Sequence, residues 1–281
     1  MLRAILLSIV AFPPLAAEEN WTYLDNGHVR LGVNMSAGAC VGWFSQSKSD
    51  KNLLNSYDEG RYLQQSYYGD KDGSEWNGQP WRFNPVQGGS WKGVPATVLE
   101  RTIDKDSIHT KTRPRHWATG ADVNDMTMEQ WLTLDGGLAR LRFKMTCTGA
   151  TEHKATHQEL PALFIQPEYD TLIFCDVSQT AWQNAPLTKK QPGYPNETVK
   201  FSEPWCAWVN KDGQGIGMFF PHATEATCYR FRGGGKSDCS YIAPIQTFAL
   251  KPGLVFEYHV VLDIGTPEQI RAVFGKIRST E

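Results

Sequence analysis

The chain has 281 residues, 41% hydrophobic and 21% charged, with a formal net charge of −2. This is ordinary globular material, long enough to bury a substantial core as one large domain or two small ones. Its charge balance speaks against nucleic acid as a partner and against a broadly basic groove for sulfated polymers, since both reward massed Lys and Arg.

Residues 1–17, MLRAILLSIVAFPPLAA, read as an export signal. Arg3 precedes an apolar run, Ala4–Phe12, far shorter than the ~20 residues of a bilayer span. Ala16 and Ala17 offer a cleavage point before Glu18. The pattern implies a secreted or periplasmic protein without a membrane span, whose residues 18–281 form a single domain.

Period-two alternation dominates the chain beyond the export segment, beginning with "HVRLGVN". The stretch "GRYLQQSYYG", Gly60–Gly69, is aromatic like a strand, yet neither of its sides is oily. Arg61, Leu63, Gln65 and Tyr67 share one side; Tyr62, Gln64, Ser66 and Tyr68 share the other. A buried amide left unpaired costs on the order of 1–3 kcal/mol, so at least one side is expected to meet water or a polar ligand. Saccharides are such ligands, because their hydroxyls suit Gln and Arg while their C–H faces lie against aromatic rings. The structural alternative is a polar strand whose tyrosines cover a loop. The next segment, "GDKDGSEWNGQPWRFNPVQGGSW", sets Trp76, Trp81, Asn84 and Trp91 in a long Gly/Asn/Pro-rich loop, a kind of segment that often carries function.

"TVLERTI" is a further strand. "KTRPRHWATG" then offers His116 as a proton shuttle, Trp117 for stacking, and Arg113 or Arg115 for a uronate carboxylate. In "MEQWLTL" and "LARLRFKMTC", joined through Asp135-Gly136-Gly137, apolar and charged residues alternate as in half-buried antiparallel strands. In "ATHQELPALF" His157 and Glu159 project to the same side and Gln158 to the other; a histidine and a carboxylate facing one cleft would supply acid and base. "TLIFCDV", "WCAWVN" and "GIGMFF" continue the series, with Trp205 and Trp208 on opposite faces and Trp205 assigned to the cleft. Gly233–Ser237 lacks Walker spacing and reads as a hairpin loop. "VFEYHVVLD" is the last strand. "TPEQIRAVFGKI" opens with Thr266 as N-cap, Pro267 at the first helical position and Gln269 to close a capping box. Strands in series with one terminal helix imply an all-β protein, a large antiparallel β-sandwich with a short C-terminal helix.

The six cysteines form no C-x-x-C pair. In an oxidising compartment disulfides are permitted, with Cys228 and Cys239 placed to clip a loop; buried free thiols are the alternative. The histidines show no metal-binding spacing and no nucleotide fingerprint is present, so neither metal nor cofactor is expected.

"NSYDEGRYLQQSYYG", "WRFNPVQGG", "EQWLTLDGGLARLR", "HQELPALF", "WCAWVNKDGQGIGMFFP" and "SYIAP" together resemble the galactose-mutarotase-like β-sandwiches of exported carbohydrate-active proteins. The resemblance implies that supersandwich fold and a poly- or oligosaccharide ligand. In epimerases of the fold a histidine and a carboxylate flank the sugar, and Glu159 corresponds to the carboxylate. The resulting reading is an enzyme that cleaves glycosidic linkages in an aromatic-lined cleft. Its catalytic candidates are Glu159, His116, Arg61 and Tyr67; its substrate-binding candidates are Gln65, Trp81, Asn84, Trp117, Gln158 and Trp205. A lyase would neutralise a carboxylate with Arg61 and use Tyr67 or His116 as base, whereas a hydrolase would add Glu203 or Asp58 to Glu159. A non-catalytic binding protein would use the same cleft without turnover, and a structural envelope protein would bind no glycan.

Overall fold

The alternation of "LARLRFKMTC" is realised in β12 (Leu138–Cys147), which buries Ala139, Leu141, Phe143, Met145 and Cys147 and turns Arg142 to solvent. Every second side chain of a strand takes the same face, so such a pattern is stable only against one core. The computed structural model describes residues 20–177, 182 and 184–280. The export segment at 1–17 lies outside the described residues.

Among the described residues the strands build two large antiparallel sheets. The ten-stranded sheet runs β1 (Trp21–Asp25), β2 (Val29–Asn34), β3 (Cys40–Gln46), β4 (Leu63–Ser66), β13 (Thr156–Ile165), β20 (Cys239–Phe248), β19 (Glu225–Phe231) and β16 (Glu197–Lys200). Beside β4, β7 (Pro85–Val86) pairs with β4 and with β10 (Arg115–His116). The nine-stranded sheet runs β15 (Thr188–Lys190), β14 (Thr171–Phe174), β17 (Trp205–Val209), β18 (Gly215–Phe219), β21 (Val255–Gly265), β12, β11 (Met126–Asp135), β9 (Ser107–Arg113) and β8 (Thr97–Ile103).

Between the sheets lies the main core, which includes Leu31, Phe44, Leu63, Phe143, Trp208 and Leu262. A second apolar cluster, with Trp205, Val261, Ile270 and Phe274, lies where α1 (Pro267–Arg278) covers the other face of β17, β18 and β21. The helix starts as its sequence requires: Thr266 and Gln269 form a reciprocal capping box and Pro267 opens the first turn. No helix among the described residues is long and apolar enough to cross a membrane.

Two expectations change. The tryptophan-rich segment after Gly69 is a hairpin, β5 (Lys71–Trp76) and β6 (Gln79–Arg82), forming a two-stranded sheet of its own. Its turn uses Asn77 at φ 51° and Gly78 at φ 70°, the double positive φ of a tight type I′ connection. The cysteines are all free and buried rather than bridged. Cys228 lies opposite Ile242 and Cys239 opposite Phe231, so the β19–β20 ladder itself keeps the two sulfurs from pairing.

Candidate functional site

β4 satisfies its two polar faces differently. Its inner face sends Leu63, Gln65 and Tyr67 into the core. There the Gln65 Nε2 donates to the Glu129 carbonyl at 3.0 Å, and the Tyr67 hydroxyl donates to Gln65 Oε1 at 3.0 Å. The Gln65 backbone N–H reaches Gln87 Oε1 at 3.2 Å, and Gln87 Nε2 continues to Gln130 Oε1 at 3.2 Å. This chain of amides supplies the partners that burial demands. The outer face, with Gln64, Ser66 and Tyr68, lines a cavity of about 400 Å³.

Glu159 lines that cavity, opposite Ser66 in the β4–β13 ladder. Beyond it the register of β13 shifts against both neighbours, between Glu159 and Leu163 on one side and Glu159 and Ala162 on the other. The extra residue brings Glu159, Ala162 and Phe164 onto one face, a combination that strict alternation forbids. The Tyr68 hydroxyl donates to Glu159 Oε2 at 2.9 Å, and the Tyr241 hydroxyl bonds the same carboxyl. Burial pushes the Glu159 carboxyl above its usual range, against the opposing pull of the Tyr241 and Tyr68 hydrogen bonds. Burial likewise raises the phenols of Tyr68, Tyr241 and Tyr229 well above theirs, with the Glu159 charge adding to it. They remain protonated donors.

The walls are aromatic. Phe164 lies 4.6 Å from Tyr241 between ring centroids, and Tyr241 lies 4.5 Å from Tyr229. On the other side Trp76 meets Trp81 at 4.8 Å and Trp117 at 6.0 Å, both edge to face. Asn84 orients this wall: its Oδ1 accepts from Trp81 Nε1 at 3.3 Å, while its Nδ2 donates to the Tyr67 carbonyl at 2.8 Å. Gly60 leaves room for Trp117, since a β-carbon there would run into the indole. Arg61 also lines the cavity, its guanidinium paired with Asp58, which accepts the backbone N–H groups of Gly60 and Arg61 at 3.1 Å each.

The cavity thus gathers Glu159, Arg61, Trp81, Asn84 and Trp117 of the expected residues. The other five lie elsewhere. Tyr67 and Gln65 face the core, because β4 turns that side inward. Gln158 completes the sheet: its Oε1 accepts from the Tyr68 N–H at 2.7 Å, and its Nε2 donates to the carbonyls of Tyr68 and Phe248. Trp205 is sealed under α1, with Nε1 donating to Glu203 at 2.8 Å. His116 is buried beside the cavity wall without lining it. Its Nε2 meets Asp72 Oδ2 at 2.7 Å and its Nδ1 accepts from the Ala118 N–H at 3.2 Å. The second carboxylates considered are engaged as well, Asp58 by Arg61 and Glu203 by Arg271 at 2.5 and 2.8 Å. Sequence reasoning left out Tyr241, Tyr229, Phe164 and Tyr194. The signal of the first three lies in cross-strand pairing, since Phe164 and Tyr229 both stand opposite Tyr241, and a linear reading does not reveal register.

The fold has counterparts among solved structures. A putative aldose 1-epimerase from Escherichia coli K12 superposes with a TM-score of 0.57 at 13% identity, covering 88% of this chain and 99% of that one. A galactose mutarotase related enzyme from Lactobacillus acidophilus gives 0.57 at 10% identity, covering 87% and 97%. The chain has the galactose mutarotase-like fold. A 4-α-glucanotransferase from Thermococcus litoralis carries the same sandwich within a longer chain, with a TM-score of 0.52 at 8% identity over 89% of this chain and 38% of that one. No family model matches the sequence, and no curated protein matches it. At these identities the mutarotase-like sandwich is what the proteins share, and a fold of this kind hosts many chemistries.

Proposed function

We propose that the protein is an exported carbohydrate-active enzyme that holds a saccharide in this cavity and cleaves a glycosidic linkage, with Glu159 as the proton-transferring group. The observation that carries the reading is the half-buried Glu159, pushed toward its protonated form and set among aromatic walls. A carboxyl with a raised pKa is suited to protonate a departing glycosidic oxygen near neutral pH. Export rests on residues 1–17 alone.

Hydrolysis is favoured over elimination. A lyase needs a base and a free cation for the uronate carboxylate, whereas the cavity phenols stay protonated and Arg61 already faces Asp58. The epimerase arrangement finds no histidine among the described residues lining the cavity. The second reading is binding without turnover. It is favoured by the solitary position of Glu159, the one carboxylate among those lining residues, where hydrolases ordinarily use two.

A glycan panel read by mass spectrometry separates these outcomes. Gain of water marks a hydrolase, an unsaturated product a lyase, and bound but unchanged glycan a binder. Under the proposal Glu159→Gln lowers turnover by about 10²–10⁴-fold while binding persists; unchanged turnover in that variant overturns the role given to Glu159.

A further inference from the structure

We infer that the cavity is built for an uncharged oligosaccharide lying across the strands, with Tyr194 at one aromatic end, Trp76 on the other wall and Glu159 among the lining residues. This rests on the saccharide reading above and adds the extent and the charge of the ligand.

Extent is set by the sheet. Lining residues come from β7, β4, β13, β20 and β19 in turn, and then from Tyr194 and Asn196, which lead into β16. At ~4.8 Å per strand spacing, these six neighbouring segments span roughly 24 Å, several times the width of one pyranose ring. Aromatic rings lie along the same line. Phe164, Tyr241 and Tyr229 are successive cross-strand neighbours, and Tyr194 extends the series with its centroid 5.6 Å from Tyr229. Tyr194 is 63% exposed. A large ring kept that open at the end of an aromatic row covers little core and offers a face for stacking. On the other wall Trp76, beside the hairpin turn, adds a half-buried ring packed edge to face on Trp81 and Trp117.

Charge is set by the pairing. Among the described lining residues Arg61 is the one cation and Glu159 the one carboxylate. Asp58 already neutralises Arg61, and two phenols bond Glu159. A uronate or sulfated sugar would meet Glu159 and a guanidinium already paired with Asp58, whereas hydroxyls can pair with Asn196 and the tyrosines.

The test uses the full mature chain and size ladders, monomer to hexamer, of neutral gluco-, manno-, xylo- and galacto-oligosaccharides. Oligogalacturonates and oligomannuronates run alongside, and binding is followed by tryptophan fluorescence and calorimetry. At least one neutral ladder is expected to gain about tenfold or more in affinity between monomer and tetramer. Tyr194→Ala, folded by circular dichroism, should remove most of that gain and leave the monomer's affinity within about twofold. Affinity independent of length overturns the extended track, and tighter binding of an acidic ladder than of every neutral one overturns the uncharged ligand. Silence of all ladders, neutral and acidic, sinks the saccharide reading itself along with this inference.

Discussion

The ordinary value of a carboxyl such as Glu159 is 4.5, and burial raises it in the folded protein despite the bonds from Tyr241 and Tyr68. The folded chain therefore holds this proton at a pH where the unfolded chain has released it. The contribution is fully present below the unfolded value and is lost as pH rises through the folded one. Glu159→Gln should thus match the wild type in melting temperature under strongly acidic conditions and exceed it increasingly as pH rises. Thermal melts across a pH series check this; a variant less stable at neutral pH would mean that the carboxylate is held by more than these two phenols. The same residue shows where a linear reading stops. Its position beside a polar, aromatic strand was visible in "HQELPALF", but its partners were not. Tyr67 and Tyr68 are adjacent and chemically alike, and only the packing of β4 sends one to the core and the other to Glu159.

At the scale of elements, the hairpin β5–β6 stands apart from the two large sheets. It forms a sheet of its own, tied to the body through the His116–Asp72 contact and through the Asp70 N–H bonded to His153 Nδ1 at 3.2 Å. A lone two-stranded ribbon is marginal in water, so its turn matters more than a turn between core strands. At Gly78 a β-carbon would meet nothing within 4 Å, yet φ is +70°. Gly78→Ala should therefore act through backbone strain alone, of about 1–2 kcal/mol. The expected outcome is weakened glycan binding with an unchanged urea midpoint for the whole chain, measured by calorimetry and equilibrium unfolding. A large drop in the midpoint would show the ribbon to be part of the cooperative core. Elements with one wet face, such as β12, were plain from alternation, and the capping box announced α1. The irregularity after Glu159 in β13 and the burial of Trp205 under α1 were not. Both depend on what another part of the chain lays alongside, which no local pattern encodes.

For the molecule as a whole, two groups outside the cavity, the buried Asp263 and the half-buried His222, shape the pH dependence. Burial pushes Asp263 up to about 6 from an ordinary 3.8, opposed by a bond from the Ile264 N–H. Its contribution is present below 3.8 and is lost as pH rises through 6. Asp263→Asn should therefore stabilise the protein at pH 7, by on the order of 3 kcal/mol if the shift is borne entirely by the folded state. The gain should vanish in strong acid, and urea unfolding at both extremes measures it. His222 works in the opposite sense. Burial drives it down to about 4 from 6.5, so its contribution is present above 6.5 and is lost as pH falls through 4.

The six sealed thiols carry a consequence of their own. Burial lifts Cys40, Cys147, Cys206, Cys228 and Cys239 above the ordinary thiol range. Alkylation and exchange both proceed through the thiolate, so the native molecule presents reagents with almost nothing to attack. Modification must wait for a strand to lift away. Because five of the six sulfurs sit in β3, β12, β17, β19 and β20, the protein contains a clock for local opening in each of its large sheets.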